Sequence, residues 1–91
     1  MVRAFIHHRV RDYAAWREVY DAFDAFQIDG GVRAEAVFRG LDDPNDVTVP
    51  HDFDDDAAAR AFLGAPELRE AIANGGGEGQ PQVWLGTEAP D

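Results

Sequence analysis

The sequence predicts an α+β fold of the ferredoxin-like type, with the element order β-α-β-β-α-β. Three observations support this prediction. Stretches rich in branched and aromatic residues alternate with stretches whose apolar residues recur every three or four positions. Clusters of glycine, proline and aspartate separate them. The order fits a four-stranded antiparallel sheet with both helices on one face, and 91 residues are enough for one domain spanning residues 1–91.

The first half of the chain predicts a strand, a helix and a second strand. Residues 2–10 are rich in branched and aromatic residues, which is typical of a strand. Asp12 is a suitable N-cap for a helix that ends at residues 29–31, where two glycines follow an aspartate. Residues 32–39 alternate between apolar and polar side chains and predict a half-buried strand. Its apolar face consists of Val32, Ala34, Ala36 and Phe38.

The second half predicts a strand, an interrupted helix and a last strand. Residues 47–53 place alternate side chains on one face, although Pro50 inside this strand favours a sheet edge or a bulge. A helix opens at the three aspartates 54–56, is interrupted by Gly64 and resumes at Pro66. The segments that follow are a glycine-rich loop at 74–80, a short strand at 81–87 and a loose tail at 88–91.

Charge and composition limit the possible partners. The net charge is −10, lysine is absent, and eight arginines are scattered among 18 acidic residues. Nucleic acids and anionic membranes attract clustered basic residues, so we expect neither as a partner. The acidic composition is typical of a halophile or of a high-GC genome. Cysteine is absent, and no apolar stretch approaches the length of a membrane span or follows a charged leader, so we expect a cytoplasmic protein.

Two of the three histidines are candidates for catalysis. Strand alternation places His8 on an apolar face of the first strand and His51 on an apolar face of the third. If these strands are central, parallel neighbours, both imidazoles lie at one end of the sheet and could act as general acid and base. The alternative is that they are hydrogen-bonded core residues. Two histidines are too few for a zinc or non-haem iron site, so we predict no metal.

Aromatic and branched side chains near these histidines predict the wall of a ligand pocket. Trp16, Tyr20 and Phe23 form a helical stripe that fits either plain core or such a wall. The residues predicted to contact a substrate are Ile6, Trp16, Tyr20, Phe23, Val49, Phe53, Phe62 and Trp84. The run Gly75-Gly76-Gly77 lacks the residues of a phosphate loop, and is either a mobile lid beside the pocket or a flexible linker.

Several motifs together resemble the dimeric α/β-barrel superfamily, near the antibiotic-biosynthesis monooxygenases and small polyketide cyclases. These motifs are His8-Arg9-Val10, Asp12-Tyr13 with Trp16, Phe38-Arg39, Asp42-Asp43-Pro44-Asn45, His51-Asp52-Phe53-Asp54, Pro66-Glu67-Leu68 and Pro81-Gln82-Val83-Trp84. The resemblance covers nearly the whole chain. It implies a homodimer whose two sheets pack into a barrel, with a cleft in each subunit between sheet and helices. It also implies that enzymatic members work without metal or cofactor.

Three functions remain open from the sequence. The first is a cofactor-independent enzyme that cyclises, isomerises or oxygenates an apolar carbonyl-bearing or aromatic, polyketide-like substrate. The second is a non-catalytic homodimeric module that binds an apolar metabolite. The third is a stress-associated structural dimer with a filled core.

Overall fold

The computed structural model of the chain describes residues 1–90 and shows the predicted α+β fold. In chain order its elements are β1 Val2–Arg9, α1 Tyr13–Ala22, α2 Asp24–Asp29, β2 Ala34–Glu35, β3 Phe38–Arg39, β4 Asp46–Phe53, α3 Asp56–Leu63, α4 Pro66–Asn74 and β5 Gln82–Thr87. Residues 88–90 have no regular structure, and Asp91 of the predicted tail lies outside the described residues. No helix within residues 1–90 is long and apolar enough to cross a membrane.

The sheet has the strand order β2-β4-β1-β5, with β3 also paired to β4. Strands β2 and β3 share one register on β4, from Ala34 opposite Asp52 to Arg39 opposite Val47, so they are two pieces of the single predicted edge strand. The interruption lies opposite Pro50. The amide of Ala36 donates to the Pro50 carbonyl at 3.3 Å, but proline has no N–H to return a bond. Pro50 therefore weakens the ladder on this edge while β4 still pairs with β1 on its other side.

Strands β1 and β4 are antiparallel neighbours, so the prediction that the two central strands run parallel is wrong. Helices α1 and α2 carry the chain back along the sheet, so that β2 and β3 run parallel to β1 but are not its neighbours. The hairpin then reverses the chain into β4, which lies between them and must run antiparallel to both. In the observed register His8 is opposite Val47 and His51 is opposite Ala4. The two histidines share a face but lie roughly 13 Å apart along it.

The two faces of the sheet have different environments. The inner face carries buried residues of β1 and β4 against which the helices pack, namely Ala4, Ile6, His8, Val47, Val49, His51 and Phe53. On the outer face Phe5 and Trp84 stack with their ring centroids 5.7 Å apart. Phe38 is 59% exposed and Trp84 is 50% exposed on that face. The predicted apolar side of residues 32–39 contributes Phe38 to this outer face, whereas Glu35 points inwards.

Both helical segments are interrupted, so residues 1–90 contain four helices, and only the break in the second segment was predicted. The carboxylate of Asp12 accepts from the Ala15 amide at 3.0 Å and caps α1 as expected. The amide of Phe23 bonds the Tyr20 carbonyl, a tight i→i−3 turn that separates α1 from α2. Asp55 caps α3, and Pro66 begins α4 just beyond Gly64, so the predicted break in the second helical segment is confirmed.

Candidate functional site

A mainly apolar cavity lies between the inner face of the sheet and helices α1, α2 and α4. Its lining residues are Ile6, His8, Trp16, Val19, Tyr20, Phe23, Gln27, Val47, Val49, His51, Leu68, Ala71 and Ile72. The cavity volume is about 60 Å³. Binding sites for drug-sized ligands have volumes of roughly 300–1,000 Å³. In this conformation the cavity therefore has room for a few water molecules or for a small part of a larger ligand.

His51 is the most deeply buried polar residue of the cavity wall, with 2% of its surface exposed. Its Nε2 lies 3.2 Å from the Tyr20 hydroxyl, which in turn lies 2.9 Å from Oε1 of Glu35. A carboxylate only accepts hydrogen bonds, so the Tyr20 hydroxyl donates to Glu35 and its oxygen accepts from Nε2–H of His51. The ring therefore carries its proton on Nε2. Its Nδ1 is a buried acceptor without a hydrogen-bond partner among residues 1–90.

Burial sets the ionisation of this pair. It lowers the pKa of His51 from 6.5 to about 4, against an opposing effect of the nearby Glu35 and Asp52 carboxylates. Burial, and then the hydrogen bond to Glu35, raises the pKa of Tyr20 above its usual value of 10. Both rings are therefore neutral near pH 7. The cavity wall therefore includes a neutral imidazole whose Nδ1 is buried and has no hydrogen-bond partner among residues 1–90.

Two polar residues of this region were not predicted from the sequence. Gln27 on α2 is buried and lines the cavity, and its side chain acts to lower the pKa of Tyr20 against the larger effects of burial and Glu35. It follows Tyr20 and Phe23 at helical spacing, and this spacing was the signal that could have placed it on the same stripe. Glu35 falls between Ala34 and Ala36, so strand alternation assigned it the opposite face from its apolar neighbours.

His8 occupies the other end of the cavity and has a different environment. Its Nε2 lies 3.1 Å from the Glu78 carbonyl oxygen and 3.0 Å from that of Gly79. Both partners are acceptors, so Nε2 carries a proton and donates to them. A Cβ at Gly77 would overlap the His8 ring, so the loop approaches this close only because residue 77 has no side chain. His8, which lines the cavity, thus holds the loop formed by residues 75–79, which we call the glycine loop, against β1.

The structure brings together most of the predicted site residues, but not all of them. Both histidines and five of the predicted contact residues line the cavity: Ile6, Trp16, Tyr20, Phe23 and Val49. Phe53 and Phe62 belong to the adjacent core cluster, where the Phe62 ring packs edge-on to His51 with centroids 5.6 Å apart. Trp84 lies on the outer face of the sheet, because its position opposite Phe5 turns its ring away from the helices. Its predicted place in the cavity wall is wrong.

The separation of His8 and His51 also contradicts the predicted acid–base pair. Each imidazole has its own partners at opposite ends of the cavity, so no proton passes directly between them. Among residues 1–90, no three His, Cys, Asp or Glu side chains are grouped so that they could hold a metal ion. The arrangement can accept one proton at Nδ1 of His51 and can stabilise the resulting imidazolium through Tyr20 and Glu35.

No protein-family profile and no curated protein sequence matches the chain. Several solved structures, in contrast, match nearly the whole chain. SnoaB from Streptomyces nogalater, a cofactor-independent oxygenase, superposes with a TM-score of 0.81 at 18% identity, over 99% of this chain and 94% of that one. An antibiotic biosynthesis monooxygenase gives a TM-score of 0.76 at 15% identity, over 99% and 100%. A conserved protein from Methanosarcina mazei Go1 gives 0.77 at 10% identity, over 97% and 92%. The chain therefore has the ferredoxin-like fold of the antibiotic biosynthesis monooxygenase-like proteins, as its motifs predicted.

Proposed function

We propose that this protein is a cofactor-independent enzyme in which Nδ1 of His51 removes a proton from an apolar, carbonyl-bearing or aromatic substrate. The observation that carries the proposal is the buried, unpartnered Nδ1 of a histidine that lines an apolar cavity. A buried polar atom without a partner costs about 1–3 kcal/mol of stability. A substrate that donates a hydrogen bond to this nitrogen removes that cost, so the site is complete only when occupied.

The chemistry of Nδ1 limits the substrate. The free nitrogen of a neutral imidazole accepts a proton, so the substrate must place an acidic O–H, or a C–H beside a carbonyl group, next to His51. Proton transfer to Nδ1 leaves the electron pair on the substrate as a phenolate or enolate and produces an imidazolium. Tyr20 and the Glu35 carboxylate stabilise that positive charge. Cyclisation, isomerisation and oxygenation of a polyketide-like compound can each begin from such an anion.

Substrate access requires the cavity to enlarge. A surface groove of about 250 Å³ lies between α1 and α4, lined by Val19, Ala22, Phe23, Glu67, Glu70, Ala71 and Asn74. Three of these residues also line the cavity, namely Val19, Phe23 and Ala71. A movement of these three side chains joins the cavity and the groove into one space large enough for a ligand. We assign the groove as the path to His51, and the glycine loop held by His8 as the cover of the other end.

A homodimer is part of the proposal. The outer face of the sheet exposes Phe38 and Trp84, and Phe5 packs beside Trp84. Apolar side chains that share an uncovered sheet face favour a second sheet above them, as in sheet-on-sheet packing. A second copy of the chain supplies such a sheet by two-fold symmetry. Because the cavity lies on the inner face, each subunit keeps its own site.

The second candidate function is a non-catalytic homodimeric module for an apolar metabolite or for stress protection. The observation in its favour is the cavity volume of about 60 Å³, which leaves the core nearly filled. Under this alternative, His51 stabilises the core through Tyr20 and the cavity holds only water or a small apolar group. Turnover distinguishes the two functions.

The test begins with native mass spectrometry of protein purified gently from its own host, which identifies a bound compound by its mass. Turnover of that compound, and of a panel of phenols and enolisable aromatic ketones, is then compared between the wild type and His51→Gln. We expect a loss of turnover of about 100-fold or more, with binding retained. His7→Gln, the same change on the outer face of β1, is the control. Unchanged turnover in His51→Gln would refute the catalytic role, and binding without turnover would favour the non-catalytic module.

A further inference from the structure

We propose that Glu35 is a positioning residue, which acts through Tyr20 to keep the proton of His51 on Nε2 and so leave Nδ1 with a free lone pair. This inference rests on the proposed role of His51 as the base. Glu35 does not line the cavity and is not among the residues that would touch a substrate. Its contribution follows from the direction of two consecutive hydrogen bonds.

The direction of these bonds depends on the carboxylate. The Tyr20 hydroxyl has a single hydrogen and lies between two possible acceptors, Oε1 of Glu35 at 2.9 Å and Nε2 of His51 at 3.2 Å. An ionised carboxylate is the stronger acceptor and cannot donate, so it takes the hydroxyl hydrogen. The phenol oxygen is then left facing Nε2 with only lone pairs. Nε2 must therefore carry the ring proton, and Nδ1 is left bare.

Reversing the first bond would disable the proposed base. If Tyr20 donated to Nε2, the ring proton would move to Nδ1, and that nitrogen would carry an N–H group in place of a lone pair. Such a ring cannot accept a proton from a substrate. Glu35 thus selects which of the two neutral forms of His51 is present, much as a buried carboxylate selects the tautomer of a catalytic histidine in serine proteases.

The position of Glu35 allows it to be changed without disturbing the core. Strand β2 is at the sheet edge, and Glu35 is exposed while its hydroxyl partner Tyr20 is half-buried. The stacked rings of Trp16 and Tyr20, with centroids 4.8 Å apart, hold the phenol in place from the other side. A substitution at residue 35 therefore alters the hydrogen-bond direction more than the packing. The other charges near His51 are Asp52 on β4 and Arg17, whose guanidinium lies 5.5 Å from the Tyr20 ring centre.

The experiment measures the ring nitrogens of His51 by ¹⁵N NMR, which distinguishes a protonated from a bare nitrogen without any substrate. In the wild type we expect a bare Nδ1 and a protonated Nε2. Glu35→Lys replaces the acceptor by a group that only donates, so the Tyr20 hydroxyl must turn towards Nε2 and the proton moves to Nδ1. Glu35→Gln, whose amide can accept or donate, should give a mixture of the two forms. Glu18→Lys makes the same charge change at an exposed position of α1 and should leave the wild-type pattern.

Two outcomes would overturn the proposal. One is a protonated Nδ1 in the wild type, and the other is a bare Nδ1 retained in Glu35→Lys. A merely structural role for Glu35 would lower stability in both variants without moving the ring proton. The measurement is also independent of turnover. If the ring proton moves as expected and no compound is converted, the proposed function fails while the positioning role of Glu35 stands. If a compound is converted and the ring proton does not move in Glu35→Lys, His51 remains the base and Glu35 has no positioning role.

Discussion

The low pKa of His51 predicts how the stability of the protein depends on pH. The pKa of this ring is about 4 in the folded protein, against the ordinary value of 6.5 for a histidine exposed to water. The unfolded chain therefore binds a proton as the pH falls below 6.5, whereas the folded protein stays neutral until about pH 4. The contribution of neutral His51 to folding is complete above pH 6.5 and is lost as the pH falls towards the folded pKa.

The size of the effect follows from the two pKa values. Their difference corresponds to about 3 kcal/mol of unfolding free energy when complete. Between about pH 7.5 and about pH 4.5 most of this is lost, which predicts a decrease of roughly 2–3 kcal/mol due to His51 alone. The side chain is 2% exposed, so solvent screening does not reduce this value.

The other groups with shifted pKa values do not cause a loss of stability between about pH 6.5 and about pH 4.5. The pKa values of Asp43, Asp52 and Asp54 are lowered by bonds to arginine, so their stabilising effect is lost only below about pH 4. The pKa of His7 is raised by its hydrogen bond to Gln82 and then by Asp46. Its contribution is complete below pH 6.5 and is lost only as the pH rises through its folded pKa. Neither group reproduces a loss of stability between pH 6.5 and pH 4.5.

The assay is urea unfolding followed by tryptophan fluorescence, at one protein concentration because a dimer unfolds in a concentration-dependent way. The wild type should lose roughly 2–3 kcal/mol more than His51→Gln between about pH 7.5 and about pH 4.5. His7→Gln should lose at least as much as the wild type, because it lacks the stabilisation that protonation of His7 adds as the pH falls. Parallel pH profiles for the wild type and His51→Gln, or an NMR titration midpoint for His51 near 6.5, would refute the reasoning.

Two further predictions concern the glycine loop and the outer face. Gly77→Ala should lower the free energy of unfolding by about 1–3 kcal/mol, because its Cβ meets the His8 ring. In a His8→Ala background the same change should cost far less. Equal costs in both backgrounds, measured by urea unfolding, would contradict this contact. Trp84→Asp should shift the native mass from a dimer of about twice the 10.0 kDa chain to the monomer. Leu41→Asp, at a fully exposed turn position, should leave the dimer intact; a monomeric wild type would exclude the outer-face dimer.

The different roles of the two histidines have a consequence for the proposed enzyme. Nδ1 of His51 is buried without a hydrogen-bond partner among residues 1–90, whereas the Nε2 of His8 binds two loop carbonyls. Glu78 in the same loop also forms an ion pair with Arg9 on β1 at 2.7 Å. The glycine loop is thus held from the cavity side by His8 and from the solvent side by Arg9. Of the two alternatives from the sequence, these contacts argue against a free linker, because they hold the loop to β1.

The sequence by itself determined the element order, the helix caps and the buried face of the two central strands. These features depend on local chemistry: Asp12 and Asp55 cap helices with their own carboxylates, and residues 47–53 alternate between buried and half-buried positions. The same alternation correctly placed His8 and His51 on the inner face. Motifs spread along the chain also predicted the shared fold, which the solved structures confirm.

Only the tertiary structure decided which of these residues meet. The direction of β4 against β1 depends on the path of the whole chain, and this direction separates His8 from His51. The pairing of Trp84 with Phe5 turns that ring to the outer face, although its own segment carries no sign of this. The bond from Tyr20 to Glu35 joins a helix to an edge strand 15 positions later. Local propensity cannot specify such contacts, because they arise only when the hydrophobic faces of separate elements pack together.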